Sequence, residues 1–214
     1  MQRLFKGLWR FQHSDWPSAA ASSNAPTPDT AADRMETRLL TILAQVNDWL
    51  QFAEAKNAGL VALDVIALTA IVSVLPSTEV EIAAPVSAGL LVAGLLLVLS
   101  LAISLWSFIP RSDRRKLVPA AGSPSPGANN LYFYGDVCGY QPRQLATEIA
   151  IRYDRIRHYD PALHPSHVDL ASQIIANSRI TVAKNENFRV ATIAALLAFA
   201  AAVVGVLVEL ISLV

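Results

Sequence analysis

The stretch APVSAGLLVAGLLLVLSLAISLWSFI, residues 84–109, contains no charged side chain. It exceeds the roughly 20 helical residues needed to cross the ~30 Å hydrocarbon core of a bilayer. Lipid offers no partner for backbone amides or carbonyls, so such a segment must cross as a helix that satisfies its own backbone. This one stretch places the chain among membrane proteins.

Outward from it, two more segments read the same way: AGLVALDVIALTAIVSVL at 58–75, and the run from Val190 to about 210. All 17 lysines and arginines fall outside these segments, between residues 2 and 56 or between 111 and 189. From Asn57 to Pro110 there is no basic residue, and after Arg189 the only charge is Glu209. A mean hydropathy of +0.40, with 53% hydrophobic and 16% charged residues, fits a small membrane protein. The linker from Pro76 to Ala83 carries Glu79 and Glu81 and no base. By the positive-inside rule it faces the periplasm or exterior, which puts the N-terminus and 111–189 in the cytoplasm and leaves the C-terminus outside. Trp106 then sits where an aromatic anchor is expected, at the cytoplasmic end of its span.

The polar parts read as helical too. After Asp33, the residues Leu39, Leu43, Val46, Leu50 and Ala53 recur at spacings of four and three, a coiled-coil-like stripe. No proline or glycine interrupts the chain before Gly59, so this helix is expected to run into the first span. Asp169 to Arg189, with Leu170, Ile174, Ile175 and Val182 on one face, leads likewise into the third span. Gln144 to Tyr159 would add a third member. The expected fold is all-α: three transmembrane helices over a cytoplasmic helical bundle built largely from extensions of the first and third spans. Its divisions are an N-terminal extension and linker (1–32), an amphipathic helix (33–57), spans at 58–75, 84–109 and 190–210, and a cytoplasmic region at 110–189.

The opening MQRLFKGLWRF has no apolar core of seven residues, so it is not read as a cleaved signal. It suits either an interfacial helix, with Leu4, Phe5, Leu8, Trp9 and Phe11 against headgroups, or a disordered tail. PSAAASSNAPTPDTAA at 17–32 reads as a linker. Cys138 is the single cysteine, which excludes an intrachain disulfide and any cysteine metal cluster.

Several features could carry function. Asp64 lies two turns into the first span, where a carboxylate is costly; it is either a gating or ion-path residue or an interfacial carboxylate paired with Lys56 or Arg189. Arg111, Arg114, Arg115 and Lys116 form a basic cluster that suits anionic headgroups, or a nucleotide phosphate. The loop NLYFYGDVCGY at 130–140 concentrates aromatics, glycines, an amide and a carboxylate. Tyr132, Phe133 or Tyr134 could stack on a pyrimidine, Asn130 and Asp136 could read its polar edge, and Gly135 would admit a phosphate to the backbone. The same loop could equally be a packing element with a Gly135-Asp136 turn. His158, His164 and His167 are interrupted by Pro161 and Pro165, so they suggest an interhelical turn rather than a metal site, with Ser166 or Asp169 capping the next helix. Ala194, Ala198, Ala202 and Gly205 form a small-residue stripe that would pack closely against another protomer or against the chain's own spans, with Gly89 and Ala93 as a complementary patch.

The segments NLYFYGDV (130–137), KNAGLVALD (56–64) and LASQIIANSRITVAK (170–184), the last running into a terminal apolar helix, together resemble the Pycsar transmembrane effector family. Asn185-Glu186-Asn187 stands where that resemblance leads one to expect a more basic and aromatic run. The resemblance implies an antiphage role. A neighbouring nucleotidyl cyclase makes cyclic CMP or cyclic UMP on infection, and the effector, responding to that diffusible product, impairs the inner membrane and causes abortive infection. It adds Arg179 and Lys184 to the loop residues as ligand contacts. Three helices alone enclose no wide pore, so a conducting state is expected to be a homo-oligomer in the bilayer.

No phosphate loop, nucleophile elbow or zinc motif is present, and no enzyme activity, catalytic residue, metal, cofactor or nucleic-acid partner is expected. The cytoplasmic part also lacks the alternating strands of a β-barrel cyclic-nucleotide domain, so a sensor here would be built from helices and the aromatic loop. The contrasting expectation is a constitutive membrane scaffold or accessory subunit that docks a partner through the Leu39 to Leu50 stripe.

Overall fold

The computed structural model describes residues 31–74, 83–109, 129–156 and 158–213. Helices α1 (Ala31–Val74), α2 (Ala84–Ser107), the one-turn α3 (Tyr134–Val137), α4 (Pro142–Arg152) and α5 (Pro165–Ser212) follow in order, with a 3-10 turn at Pro161–Leu163 before α5. No strand occurs among the described residues, and the fold is all-α. Helices α1, α2 and α5 are each long and apolar enough to cross a membrane. The N-terminal segment to residue 30, the acidic linker with Glu79 and Glu81, and the basic cluster at 111–116 lie outside the described residues.

With 44 and 48 residues, α1 and α5 are about 66 and 72 Å long at 1.5 Å per residue. Each is therefore about twice as long as a hydrocarbon core is thick. The outer half of each joins α2 in a three-helix membrane section, and the N-terminal half of each enters a polar head completed by α3 and α4. Both helices pass from head to membrane section without a break, as the uninterrupted sequence leads one to expect.

The head has its own core. From α1 come Met35, Leu39, Ile42 and Val46; from α4, Leu145, Ala146, Ile149 and Ala150; from α5, Ala171, Ile174 and Ile175; and Leu131, Val137 and Tyr140 close it. The α1 stripe is rotated from its expected phase: Ile42 is fully buried, whereas Leu43 and Leu50 are only half-buried. Both phases are apolar in the sequence, and the core shared with α4 and α5 selects the second. Leu39 and Val46 are consumed by this core, so the stripe invoked for docking a partner is not a free surface. The outward side of α1 instead shows Leu40, Trp49 and Phe52.

Two boundaries differ from expectation. The third head helix stops at Arg152 rather than Tyr159, because Arg155 adopts φ 55° and the Ile156 amide turns back to donate to the Ala150 carbonyl at 3.0 Å. A left-handed residue followed by such a bond terminates a helix. Helix α5 begins with Pro165 behind His164, without a side-chain cap, so neither Ser166 nor Asp169 caps it. Proline at the first helical position loses no hydrogen bond, since that amide has no helical partner.

In the membrane section the small residues of α5 are used internally. A Cβ added to Gly205 would stand 2.8 Å from the Pro85 carbonyl oxygen and 3.2 Å from the Gly89 Cα, so the α2 and α5 backbones touch there. Ala194, Ala198 and Gly205 are buried, and Ala202 packs against the same core with Ala93 and Leu97 of α2.

Candidate functional site

The aromatic loop is held by its own polar groups. The Asn130 amide donates to Asp136 Oδ2 at 2.8 Å, and the Tyr132 amide donates to Asn130 Oδ1 at 3.0 Å. The Tyr132 hydroxyl accepts from Arg38 Nη1 at 3.0 Å, and Arg38 is also paired with Asp154 at 3.3 Å. The Asp154 carboxylate, followed by Tyr132, holds the guanidinium above its ordinary pKa. Gly135 leaves room for the Phe133 ring, since a Cβ there would meet Phe133 Cε1 at 2.5 Å and push the ring aside. The Phe133 ring, 40% exposed, folds back over this glycine and lies 4.7 Å from Tyr134. Cys138 is buried, which pushes its thiol pKa up, and its Sγ donates to the Gly135 carbonyl.

Of the two cations that the resemblance adds, each has a structural partner. Arg179 Nε donates to the Cys138 carbonyl at 2.9 Å and Nη2 to the Tyr140 carbonyl at 3.4 Å, tying the end of the loop to α5. Lys184 is separate from the loop. It donates to the Ser107 carbonyl at 3.1 Å and pairs with Glu54 at 3.1 Å. A cation there complements the negative end of the α2 dipole.

The connection between loop and membrane runs through Asn185, inside the tripeptide that departs from the expected run. Its Nδ2 donates to the Tyr134 hydroxyl at 3.1 Å, and its Oδ1 accepts from Lys56 Nζ at 2.8 Å. Lys56 also lies over the rings of Phe52 and Phe188, at 4.9 and 5.1 Å. The next residue, Asn57, opens a polar seam between α1 and α2.

That seam is the feature sequence reading caught only in part. Asn57 Nδ2 donates to Ser107 Oγ at 3.1 Å, and Ser100 Oγ donates to Asp64 Oδ2 at 2.7 Å. Ser104 lies on the same face of α2, one turn from Ser100. Asn57, Asp64, Ser100 and Ser104 are 0% exposed and Ser107 is 2% exposed. Asn57 Oδ1, Asp64 Oδ1 and Ser104 Oγ have no hydrogen-bond partner among the described residues. Neither base expected to neutralise Asp64 reaches it: Lys56 is bound to Asn185, and Arg189 pairs with Glu186 at 3.6 Å on the surface. Beyond Asp64 the seam is apolar, closed by Ala67, Leu68 and Ile71 with Ala93, Leu96 and Leu97. Serine is unremarkable in a membrane helix; the signal here was the spacing of four and three at 100, 104 and 107 opposite Asn57 and Asp64.

Two further features lie outside this connection. Tyr159, His164 and His167 stack, with ring centroids 5.0 to 6.1 Å apart, and the Tyr159 hydroxyl meets His167 Nδ1 at 3.2 Å. Burial and then the Asp160 carboxylate push the Tyr159 phenol up to about 12, while burial and then His164 push the His167 imidazole down. A groove of about 370 Å³ between α2 and α5 is lined by Ala102, Ile103, Trp106, Asn187 and Val190. No group of histidine, cysteine and acidic residues among those described could hold a metal ion.

No curated protein and no solved structure matches the chain. A family model described as the Pycsar effector protein domain matches residues 38–211, which takes in both halves of α1 and α5, all of α2, the aromatic loop and the seam. The chain belongs to the Pycsar effector family.

Proposed function

We propose that this effector responds to a cyclic pyrimidine nucleotide, cyclic UMP or cyclic CMP made by a neighbouring cyclase, and then impairs the inner membrane. A cytoplasmic head is supported by the basic residues of 1–56 and 111–189 through the positive-inside rule. The observation that carries this reading is the chain Tyr134–Asn185–Lys56, which joins the aromatic loop to the first residue of the intramembrane seam. The exposed Phe133 ring offers a stacking face for a pyrimidine. Asn130 and Asp136 already bind loop amides, so a ligand that engages them takes them from those amides and loosens the loop. A ligand shifts such an equilibrium only by its differential affinity for the two loop states.

The α5 small-residue stripe is occupied within the chain, so assembly into a homo-oligomer would use the lipid-facing sides of the three helices. The test is membrane potential in cells expressing the protein, read with a voltage-sensitive dye before and after a co-expressed cyclase is induced. Depolarisation confined to cells making the nucleotide is expected, and Tyr132→Ala, Asp136→Ala and Asn185→Ala should each uncouple depolarisation from the nucleotide at unchanged protein level. An unchanged potential with confirmed expression and nucleotide, together with stable capture of another protein, would replace this reading with a scaffold.

A further inference from the structure

We infer that Asp64 is a proton-binding site served from the head end of the seam, and that protons passing it carry the current of the activated protein. The second half of this inference rests on the membrane-impairing function proposed above; the first half does not.

The argument starts from what surrounds the carboxyl. Asp64 is 0% exposed, and among the described residues its single hydrogen bond is the one donated by Ser100. Helix α2 carries no charged side chain between 84 and 107, and α5 carries none between Arg189 and Glu209. Lys184, at the mouth, is held by Glu54 and the Ser107 carbonyl. No cation therefore faces the group from any helix packed on it. An ion left alone in an apolar interior is far costlier than a neutral acid, and a proton is the ligand that removes the cost.

Access comes from one side. Asn57 and Ser107 sit at the boundary between head and membrane section, Ser104 follows one turn deeper, and Asp64 with Ser100 ends the row. The unpartnered Asn57 Oδ1, Ser104 Oγ and Asp64 Oδ1 are spaced along it at about one helical turn, and each can take a water once the two helices part. Outward of Asp64, alanine, leucine and isoleucine close the path. The seam is polar from the head boundary to Asp64 and apolar beyond. In the step, the Asp64 carboxyl gives its proton to a water and the carboxylate keeps the Ser100 bond; a proton from the opposite side restores the acid. Conduction requires the apolar half to open, and that opening is what activation would supply.

Two measurements on the full chain test this, one of them independent of activation. Infrared spectra of the protein in lipid vesicles at neutral pH should show a protonated-carboxyl band that shifts in D2O and is missing from Asp64→Asn. If folded wild type and Asp64→Asn do not differ in that band, or if the band does not shift in D2O, the site is ionised or sealed and the inference fails. Loss of the band on adding sodium would also overturn it, marking a metal-cation site. In vesicles loaded with a pH dye and held at a potassium diffusion potential, cyclic UMP or cyclic CMP should start proton entry. Asp64→Asn should slow that entry tenfold or more, and Asp64→Glu should retain it. Equal entry with Asp64→Asn would overturn the proton path while leaving the effector function standing. Silence of wild type toward both nucleotides would instead count against the effector reading, and the infrared result would then decide the proton site alone.

Discussion

Replacing Arg179 with alanine separates a structural arginine from a ligand-binding one. Its guanidinium bonds the Cys138 carbonyl at 2.9 Å and, more weakly, the Tyr140 carbonyl at 3.4 Å, both beside fully or nearly buried side chains. Removing it leaves two carbonyls short of a charged donor, at about 2–3 kcal/mol together. For a chain of this size each kcal/mol lowers the midpoint of thermal unfolding by about 2–4 °C, so a fall of roughly 4–12 °C is expected. The readout is helical circular dichroism of the purified, ligand-free protein. Arg189→Ala is the control: Arg189 is 71% exposed and its pair with Glu186 is a surface one, so a loss of about 0.5 kcal/mol or less is expected. Arg179→Lys, with one donor cluster instead of a fork, should fall between them. If Arg179→Ala melts together with Arg189→Ala, the arginine does not hold the loop, and a role confined to the ligand becomes the better account.

Other outcomes follow from the same contacts. Gly205→Ala should destabilise by about 1–3 kcal/mol through overpacking, because its methyl meets the Pro85 carbonyl oxygen at 2.8 Å, while Gly59→Ala, with nothing within 4 Å, should be neutral or stabilising by up to about 1 kcal/mol; equal melting of the two would refute the backbone contact. His167 has a folded-state pKa below its ordinary 6.5, mainly from burial and then from His164, with Glu36 opposing. Its contribution to stability is thus fully present above about pH 6.5 and lost as pH falls through the folded value. Unfolding midpoints measured from pH 7 downward should drop for wild type and flatten for His167→Gln.

The sorting of charge made three spans legible, and the uninterrupted runs through Lys56 and Arg189 made their continuation into the head legible as well. Asp64 stood out because a carboxylate in an apolar run is rare. Its partners did not, since Ser100, Ser104 and Ser107 acquire meaning only when a second helix is laid against them. The phase of the α1 stripe was not readable either: Leu43 and Leu50 are as apolar as Ile42, and tertiary packing chose between them. The early end of α4 rests on one residue, Arg155, in a left-handed conformation that arginine seldom announces. In the aromatic loop, composition suggested recognition while its bonds to Arg38, Arg179 and Asn185 show cohesion. These are compatible where a loop must both hold a resting shape and surrender it.

The serine spacing on α2 has a mechanical corollary. Because α1 and α2 run antiparallel, moving α1 one turn toward the head would carry Asp64 from Ser100 to Ser104, whose hydroxyl is unpartnered. The travel is about 5.4 Å, and the hydrogen bond lost is replaced in kind. The seam thus offers Asp64 a second hydroxyl one turn nearer the head, while the Asn57 bond to Ser107 and the apolar packing around Leu60 and Leu97 hold the observed register.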